Sequence, residues 1–408
     1  MTNAPSLPSY PKLRSVQPQP THYNGALMYM LRDPLQLANQ AVLMPAPLSP
    51  LLYLLDGQRS METIQTVLSV HFGTSFDGEV LADFIRALDE VYLLDNERAA
   101  QAKKKTLRSY REAPFRPPAL AGLSYPRDPK ELYQQLQDLL ESAEAKPNPA
   151  PTKGLLSPHI DYPRGGGVYA EVWKRALPTI READLVVMLG TDHNAGYNPV
   201  TLTRQHYATP YGILPTDLDI VNALANALGE DMVFNGELFH RSEHSLELVA
   251  VWLHHIREQN PVPIVPILVG AFPEHTYNGK PMSENTVIPT LVDTLRRHTA
   301  GKKVVFVISG DLSHVGTAFD GDPMDDAGML RIREQDHILL EAMHRGEAET
   351  FYEKIQATRD ANNVCGTSPI YIAMRIMGEV QGELVAYNQC PADDAGTSIV
   401  SIGGMVFH

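Results

Sequence analysis

The sequence has few cysteines and no secretion signal. Cys365 and Cys390 are the only two cysteines among 408 residues, which is too few for a disulfide framework. The N-terminus has neither the positively charged start nor the apolar run of a signal peptide. We therefore expect the chain to fold in a reducing cytoplasm.

Long apolar runs are missing as well. Segments such as 185–189 and 304–308 are short and flanked by polar residues, whereas a membrane-spanning helix needs about 20 apolar residues in a row. The sequence therefore predicts no membrane-spanning segment. With 43% hydrophobic and 20% charged residues, the composition is that of an ordinary globular protein.

Basic residues are outnumbered by acidic ones. The chain has 34 Lys and Arg against 48 Asp and Glu, a formal charge of -14, which repels phosphate backbones and anionic membranes. Basic residues cluster at 103–111, in a predicted linker, without aromatic residues on which bases could stack. We expect neither nucleic acid nor a membrane as a partner.

The chain divides into two predicted domains. Residues 1–22 are rich in proline and polar groups and predict an extended arm. Between Pro47 and Asp95 apolar residues recur at helical spacing, which predicts three short helices in a first domain, 23–97. Residues 98–117 lose this spacing and end in prolines, so we interpret them as a linker.

The first domain resembles a peptide-recognition module. Its motifs Leu-Leu-Asp-Gly-Gln-Arg-Ser at 54–60, His-Phe-Gly at 71–73 and the apolar segment 88–94 resemble the PqqD-like winged-helix domains. The resemblance implies a docking domain to which a peptide adds as a strand at the edge of a small sheet. DNA binding is disfavoured, since residues 1–97 carry five Lys and Arg against ten Asp and Glu.

Residues 118–408 alternate apolar runs with helical patterns. This alternation predicts an α/β domain with a mostly parallel sheet flanked by helices. The predicted strands are 154–157, 184–190, 263–269, 303–309, 384–387 and 398–407. The predicted helices are 129–143, 166–175, 217–228, 244–255, 288–298 and 329–344.

Three apolar strands each run into a short turn that contains a histidine. These histidines are His159, His193 and His314. A single histidine after a strand is usually a surface or hydrogen-bonded residue, but the carboxyl ends of strands in an open α/β sheet meet at one edge. Imidazole is a ligand for iron, copper and zinc. The three together predict a shared metal or catalytic site.

His244 and Glu247 are a second candidate pair. They stand three residues apart and therefore share a helix face, which suits them to catalysis. The same residues also fit an ordinary helix start, in which Ser242 caps the helix and Glu243 or Glu247 interacts with its positive end. Both interpretations stay open at this point.

Cys365 lies in a Gly-flanked turn that opens the apolar helical segment 370–376. Helix N-termini lower thiol pKa values, so Cys365 is a candidate site residue. The alternative is a buried, unreactive cysteine, which is the interpretation we give to Cys390.

The second domain also resembles a known family. The motifs, spread in order over residues 114–408, are Ser157-Pro158-His159, Gly190-Thr191-Asp192-His193, Thr209-Pro210-Tyr211-Gly212, Glu243-His244-Ser245-Leu246-Glu247, Ser309-Gly310-Asp311-Leu312-Ser313-His314, Cys365-Gly366 and the terminal Gly-Gly-Met-Val-Phe-His. They resemble the Memo-like family, which includes the AmmeMemoRadiSam system protein B. The resemblance implies the fold of the class III extradiol dioxygenases, which use non-haem Fe(II).

The resemblance also implies roles for individual residues. His159 and His193 would be metal ligands, and Cys365 would stand where the dioxygenases place a carboxylate ligand. His314 would be the third active-site histidine, with Asp311 orienting it. One Fe(II) or copper ion and redox chemistry follow from this resemblance.

The sequence departs from the family at two motifs. The family usually continues the first as His-Ala-Gly-Tyr and has Ser-His-His at the second, whereas this chain places Asp161, Arg164 and Asp192 there. Asp161 or Asp192 could supply a harder oxygen ligand, which would favour Fe(II) over copper.

Three functions are consistent with these observations. The first is a metal-dependent oxidoreductase acting on a small molecule or a peptide, with His314 as acid or base. The second is a non-catalytic protein that binds a peptide or protein partner, because a fold does not fix a function. The third is a zinc hydrolase built on the same ligands.

Overall fold

The structure is a computed structural model that describes residues 7–16, 18–194 and 198–408. It divides into two compact units, Met1–Glu112 and Ala113–His408. Among the helices within these described ranges, none is both long and apolar enough to cross a bilayer.

The first unit begins with a small antiparallel sheet and continues with helices. Its strands pair in the order β1, β2, β3 and have the bounds β1 Gln19–Tyr23, β2 Ala26–Leu31 and β3 Val42–Pro45. Its helices are α1 Leu51–Leu54, α2 Met61–Phe72, α3 Gly78–Glu90 and α4 Glu97–Glu112. Ser60 caps α2 through its side chain, which accepts the backbone N–H of Thr63.

The strands of this unit were missed by the sequence analysis. Asn24 and Gly25 both have positive φ, 50° and 77°, and connect β1 to β2 as a two-residue hairpin, for which Asn-Gly is the preferred pair. The predicted arm 1–22 is also wrong at its end, because β1 starts at Gln19. Lys12 and Leu13 pair with residues of the helical part of the unit.

The predicted linker is mostly a helix. Residues 97–112 form α4, whose buried residues are Ala99 and Tyr110. A stripe that contains alanine and only one large apolar residue gives almost no periodic signal, although helix propensity is high in this segment. Arg116, which lies within the predicted linker, is fully buried in the second unit.

The second unit is built on an eight-stranded sheet. Its members are β4 Gly154–Ser157, β5 Leu185–Thr191, β6 Val200–Leu202, β9 Ile264–Val269, β10 Val304–Ser309, β11 His314–Gly316, β12 Gly382–Pro391 and β13 Ser398–Phe407, while β7 Tyr207–Thr209 and β8 Gly212–Leu214 form a separate hairpin. The order is β11-β13-β4-β10-β5-β9-β6, with β12 paired to β13. The four central strands β4, β10, β5 and β9 are parallel, and the outer strands are antiparallel.

Helices cover both faces of this sheet. They are α5 Pro129–Ser142, α6 Tyr162–Glu182, α7 Leu218–Leu228, α8 Glu230–Phe234, α9 His244–Ile256, α10 Pro273–Thr276, α11 Val287–Thr299, α12 Asp326–His344, α13 Ala348–Ala357 and α14 Thr367–Met377. Val187 and Leu189 of β5 pack into the core formed with α7, α11 and α14. Val186 and Met188 pack into the opposite core with α5, α6 and α9, as the two-residue period of a strand requires.

The predicted α/β architecture is confirmed. Strands β4 and β13 occupy the predicted ranges 154–157 and 398–407. The strands that the sequence analysis missed, β6, β7, β8 and β11, have three residues each. Three residues are too short a run for alternation to be recognised.

Candidate metal centre

The carboxyl ends of adjacent parallel strands gather the candidate residues. His159 follows β4, Asp311 follows β10 and His193 follows β5, and β10 lies between the other two strands. The ring centroids of His159 and His193 are 5.1 Å apart. His244, at the start of α9, is 5.1 Å from the ring of His159 and stacks on His193 at 4.7 Å.

Potential ligand atoms converge in three overlapping groups. The groups are His159, His193 and Cys365; His193, Glu243 and His244; and Asp311, His314 and Cys365, and within each group the ligand atoms lie within 4.8 Å of one another. Nitrogen and sulfur ligands bind zinc at about 2.0 to 2.3 Å, so two ligand atoms on opposite sides of one ion are separated by about twice that distance. The spacing within each group is therefore compatible with one shared ion. The first group is the ligand set that the resemblance implied.

The hydrogen bonds of His159 fix its tautomer. The Ser309 hydroxyl donates to the carbonyl of Ser245 at 2.6 Å, so it can only accept from Nδ1 of His159, at 3.4 Å. The lone pair of the neutral imidazole is therefore on Nε2. That atom lies 3.2 Å from Sγ of Cys365.

Glu243 organises the other two imidazoles of the cluster. One carboxylate oxygen, Oε1, lies 3.0 Å from Nδ1 of His193 and 3.0 Å from Nδ1 of His244. The other, Oε2, accepts the backbone N–H of His193 at 3.0 Å. Because a carboxylate accepts at both Nδ1 positions, each neutral ring carries its lone pair on Nε2.

His314 is oriented by backbone carbonyls. The sequence predicted His314 in the turn that follows β10. In the structure His314 is the first residue of the edge strand β11. Its Nδ1 donates to the carbonyl oxygens of Leu312 and Asn363, both at 3.1 Å, which again leaves the lone pair on Nε2.

Asp311 does not orient His314, contrary to the expectation. Its Oδ1 accepts the backbone N–H of His159 at 2.8 Å, and its Oδ2 lies 3.7 Å from Nε2 of His159. The interaction of Asp311 with His314 is therefore electrostatic.

The loop of Cys365 is held against the loop after β10. The backbone N–H of Asp311 donates to Sγ at 3.3 Å. A Cβ built on Gly310 would lie 2.7 Å from Cα of Gly366, so this approach requires a glycine. Thr191 also donates to the carbonyl of Cys365 at 2.9 Å.

Burial and charge shift the pKa values of the cluster. Burial, then the neighbouring His193 and His244, lower the pKa of His159 well below its usual value. Burial alone would lower the pKa of His193, but the Glu243 carboxylate and Cys365 outweigh burial and raise it well above the usual value. Burial raises the pKa of the Cys365 thiol and lowers that of His314.

Glu247, predicted as a catalytic partner of His244, lies outside the cluster. Its carboxylate forms an ion pair of 2.5 Å with Arg116, and both side chains are almost fully buried. It also accepts the N–H groups of Ala119 and Leu120 and the hydroxyl of Tyr125. The helical spacing does place both residues on α9, but Glu247 points to the segment that precedes α5.

Asp161 and Asp192, considered as oxygen ligands, are in none of the three ligand groups of the described residues. Asp161 caps α6 and pairs with Arg164.

The carboxylates that contact the imidazole-bearing residues are those of Asp311 and Glu243. The sequence predicted Glu243 only as a negative charge at the start of a helix, and its side chain does cap α9 by accepting the N–H of Ser245. The feature of the sequence that could have indicated its contact with the histidines is its position directly before His244.

A cavity of about 530 Å³ opens onto the cluster, a size typical of small-molecule sites. His159, His193, His244 and His314 line it on the polar side. Apolar residues form much of the remaining wall, including Leu120, Ile160, Leu248, Phe319 and Val400.

Comparisons with known proteins identify the family of this chain. The profile of the Memo-like protein family matches residues 116–406. A "MEMO1 family protein" of Aquifex aeolicus is 27% identical over 404 residues, covering 98% of this chain and 100% of that protein. A "MEMO1 family protein" of Methanosarcina barkeri is 30% identical over 277 residues, covering 67% of this chain and 92% of that protein. The chain therefore belongs to the Memo-like family.

Proposed function

We propose that the protein is a metal-dependent oxidoreductase. In this proposal His159, His193 and Cys365 hold one Fe(II) or copper ion, and His314 serves as acid or base. The observation that carries the proposal is the shared tautomer of the imidazoles. Each Nδ1 is engaged by a carboxylate, carbonyl or hydroxyl oxygen, so Nε2 carries the lone pair of each ring in its neutral form. His193, whose pKa is raised, would release its Nε2 proton when a metal binds.

The donor set fits a transition metal. Two imidazole nitrogens and one thiolate suit iron, copper and zinc rather than magnesium or calcium, which prefer oxygen ligands. Three protein ligands leave coordination positions open for substrate. A bound iron or copper ion would supply one-electron and oxygen chemistry.

His314 is suited to accept a proton inside the cavity. Burial lowers its pKa, so the imidazole is neutral at neutral pH. The two carbonyls at Nδ1 hold the ring and leave Nε2 as the basic atom. A substrate hydroxyl bound in the cavity could therefore transfer its proton to Nε2.

Metal analysis of the full chain tests this proposal. We expect about one iron or copper ion per chain after reconstitution, lost in Cys365→Ser and in His159→Gln. Cys390→Ser is the matched control, because Cys390 is a buried thiol outside the ligand groups. His314→Gln should retain the ion. No uptake of either metal would refute the proposal, and uptake of zinc alone would favour a hydrolase.

A second candidate function concerns the first unit, which we propose to be a peptide-docking module. In its sheet β1 pairs only with β2 among the described residues, so one edge of β1 is available to an added strand. A peptide-library selection against the full chain should recover binders that are lost when residues 1–112 are deleted. Binders that do not need this unit would contradict the idea.

A further inference from the structure

We propose that Arg164 recognises a carboxylate group on the substrate, so that the cavity takes monoanionic organic acids with an apolar body. This inference rests on the proposed function for the location of the chemistry. It adds the substrate class and a specificity-determining residue.

Arg164 lines the cavity and its side chain is 39% exposed. The guanidinium is held in place by the chain itself. Nε donates to Oδ2 of Asp161 at 2.8 Å, a terminal nitrogen lies 2.6 Å from the same oxygen, and the other terminal nitrogen donates to the carbonyl of Pro391 at 3.0 Å.

These contacts orient the guanidinium but do not use all of its hydrogens. An arginine has five N–H donors, and the contacts of Arg164 engage three of them. The remaining two belong to the two terminal nitrogens, the geometry that a planar carboxylate can accept. Because the side chain is already fixed, little conformational entropy is lost when a ligand binds.

The surroundings favour one negative charge on an apolar ligand. Both carboxylate oxygens of Asp161 bind Arg164. Oδ1 accepts the backbone N–H of Arg164, and Oδ2 accepts from the guanidinium of Arg164. Its negative charge disfavours a phosphate dianion more than a carboxylate monoanion. Ile160, Phe319 and Ala392 also line the cavity and can cover a hydrocarbon body.

Calorimetric titration of the full chain, after dialysis against a chelator, tests the inference without requiring a metal. The probe is 3-phenylpropanoate, and 3-phenylpropan-1-ol is its neutral analogue. We expect saturable binding of the acid, weakened roughly tenfold or more by Arg164→Gln, and much weaker binding of the alcohol. Arg164→Lys should restore part of the affinity, because it keeps the charge but not the two-pronged geometry.

Arg181→Gln is the matched control, since Arg181 is an exposed arginine of the same helix paired with Glu258. It should leave the affinity unchanged. Equal binding of acid and alcohol, equal binding by wild type and Arg164→Gln, or tighter binding of phenyl phosphate would each overturn the inference. Because these titrations contain no metal, a failure of metal uptake would count against the proposed oxidoreductase alone.

Discussion

The buried ion pair between Arg116 and Glu247 gives a prediction that separates a structural role for Glu247 from a catalytic one. Four donors converge on this carboxylate: a guanidinium nitrogen of Arg116, two backbone N–H groups and the hydroxyl of Tyr125. In Glu247→Gln the amide nitrogen is itself a donor and must face one of these donors. The charge of Arg116 also loses its partner in a buried position.

The expected cost follows from this geometry. Breaking one side of a buried ion pair typically costs about 3 to 5 kcal/mol, because the remaining charge stays desolvated. The free energy of unfolding of the second unit should therefore fall by about 3 kcal/mol or more in Glu247→Gln. The double variant Arg116→Met/Glu247→Leu should lose less than the sum of the two single variants, because it leaves no unpaired charge.

Tryptophan fluorescence provides a specific assay for this unit. The chain has two tryptophans, and both, Trp173 and Trp252, are fully buried in the second unit. Urea unfolding followed by their emission therefore reports on this unit and not on the first. Trp252 lies on α9 together with Glu247.

Glu258→Gln is the control for this experiment. Glu258 forms an exposed ion pair with Arg181, and such pairs contribute about 0 to 1 kcal/mol. If Glu247→Gln proved as stable as Glu258→Gln, the structural interpretation of Glu247 would be wrong and its catalytic assignment would be reopened.

Two further predictions concern the site and the acid stability. Gly310→Ala should weaken metal binding although it replaces no proposed ligand, because the new Cβ would lie 2.7 Å from Cα of Gly366, next to Cys365. A metal stoichiometry equal to that of the wild type would contradict this prediction. Burial lowers the pKa of His240 to about 3, so the unfolded chain binds a proton near pH 5 that the folded chain does not. The free energy of unfolding should therefore fall as pH drops below about 6.5, by about 2 kcal/mol at pH 5 for this group, and His240→Gln should reduce that pH dependence in urea titrations.

Periodicity predicted the second unit better than the first. Central strands such as β5 and helices such as α9 carry long apolar patterns, because they are buried within one domain. The first unit uses short strands that are mostly exposed on one side, such as Gln19–Tyr23. Their strongest signal was the Asn24-Gly25 turn rather than the strand residues. Helix α4 was missed because its buried residues are only Ala99 and Tyr110, too few for a periodic apolar pattern.

The position of the candidate site could be predicted because it follows from topology. Three strand ends in a parallel sheet must share an edge, and that rule needs only the chain order of the strands. It does not depend on how any side chain is turned. This is why the sequence could place His159 and His193 at one edge, whereas the contacts of Asp311 with His159 and of Glu247 with Arg116 could not be predicted.

Which carboxylate contacts the imidazoles depends on backbone geometry that a sequence pattern does not contain. Glu243 and Glu247 are one helical turn apart and both carry a negative charge at the start of α9. Glu243 precedes the first helical residue, so its extended backbone, with ψ of 126°, directs the carboxylate across the helix end toward His193 and His244. Glu247 is already inside the helix, and its side chain leaves the axis toward Arg116. A displacement of one helical turn therefore separates the carboxylate that contacts His193 and His244 from the carboxylate that pairs with Arg116.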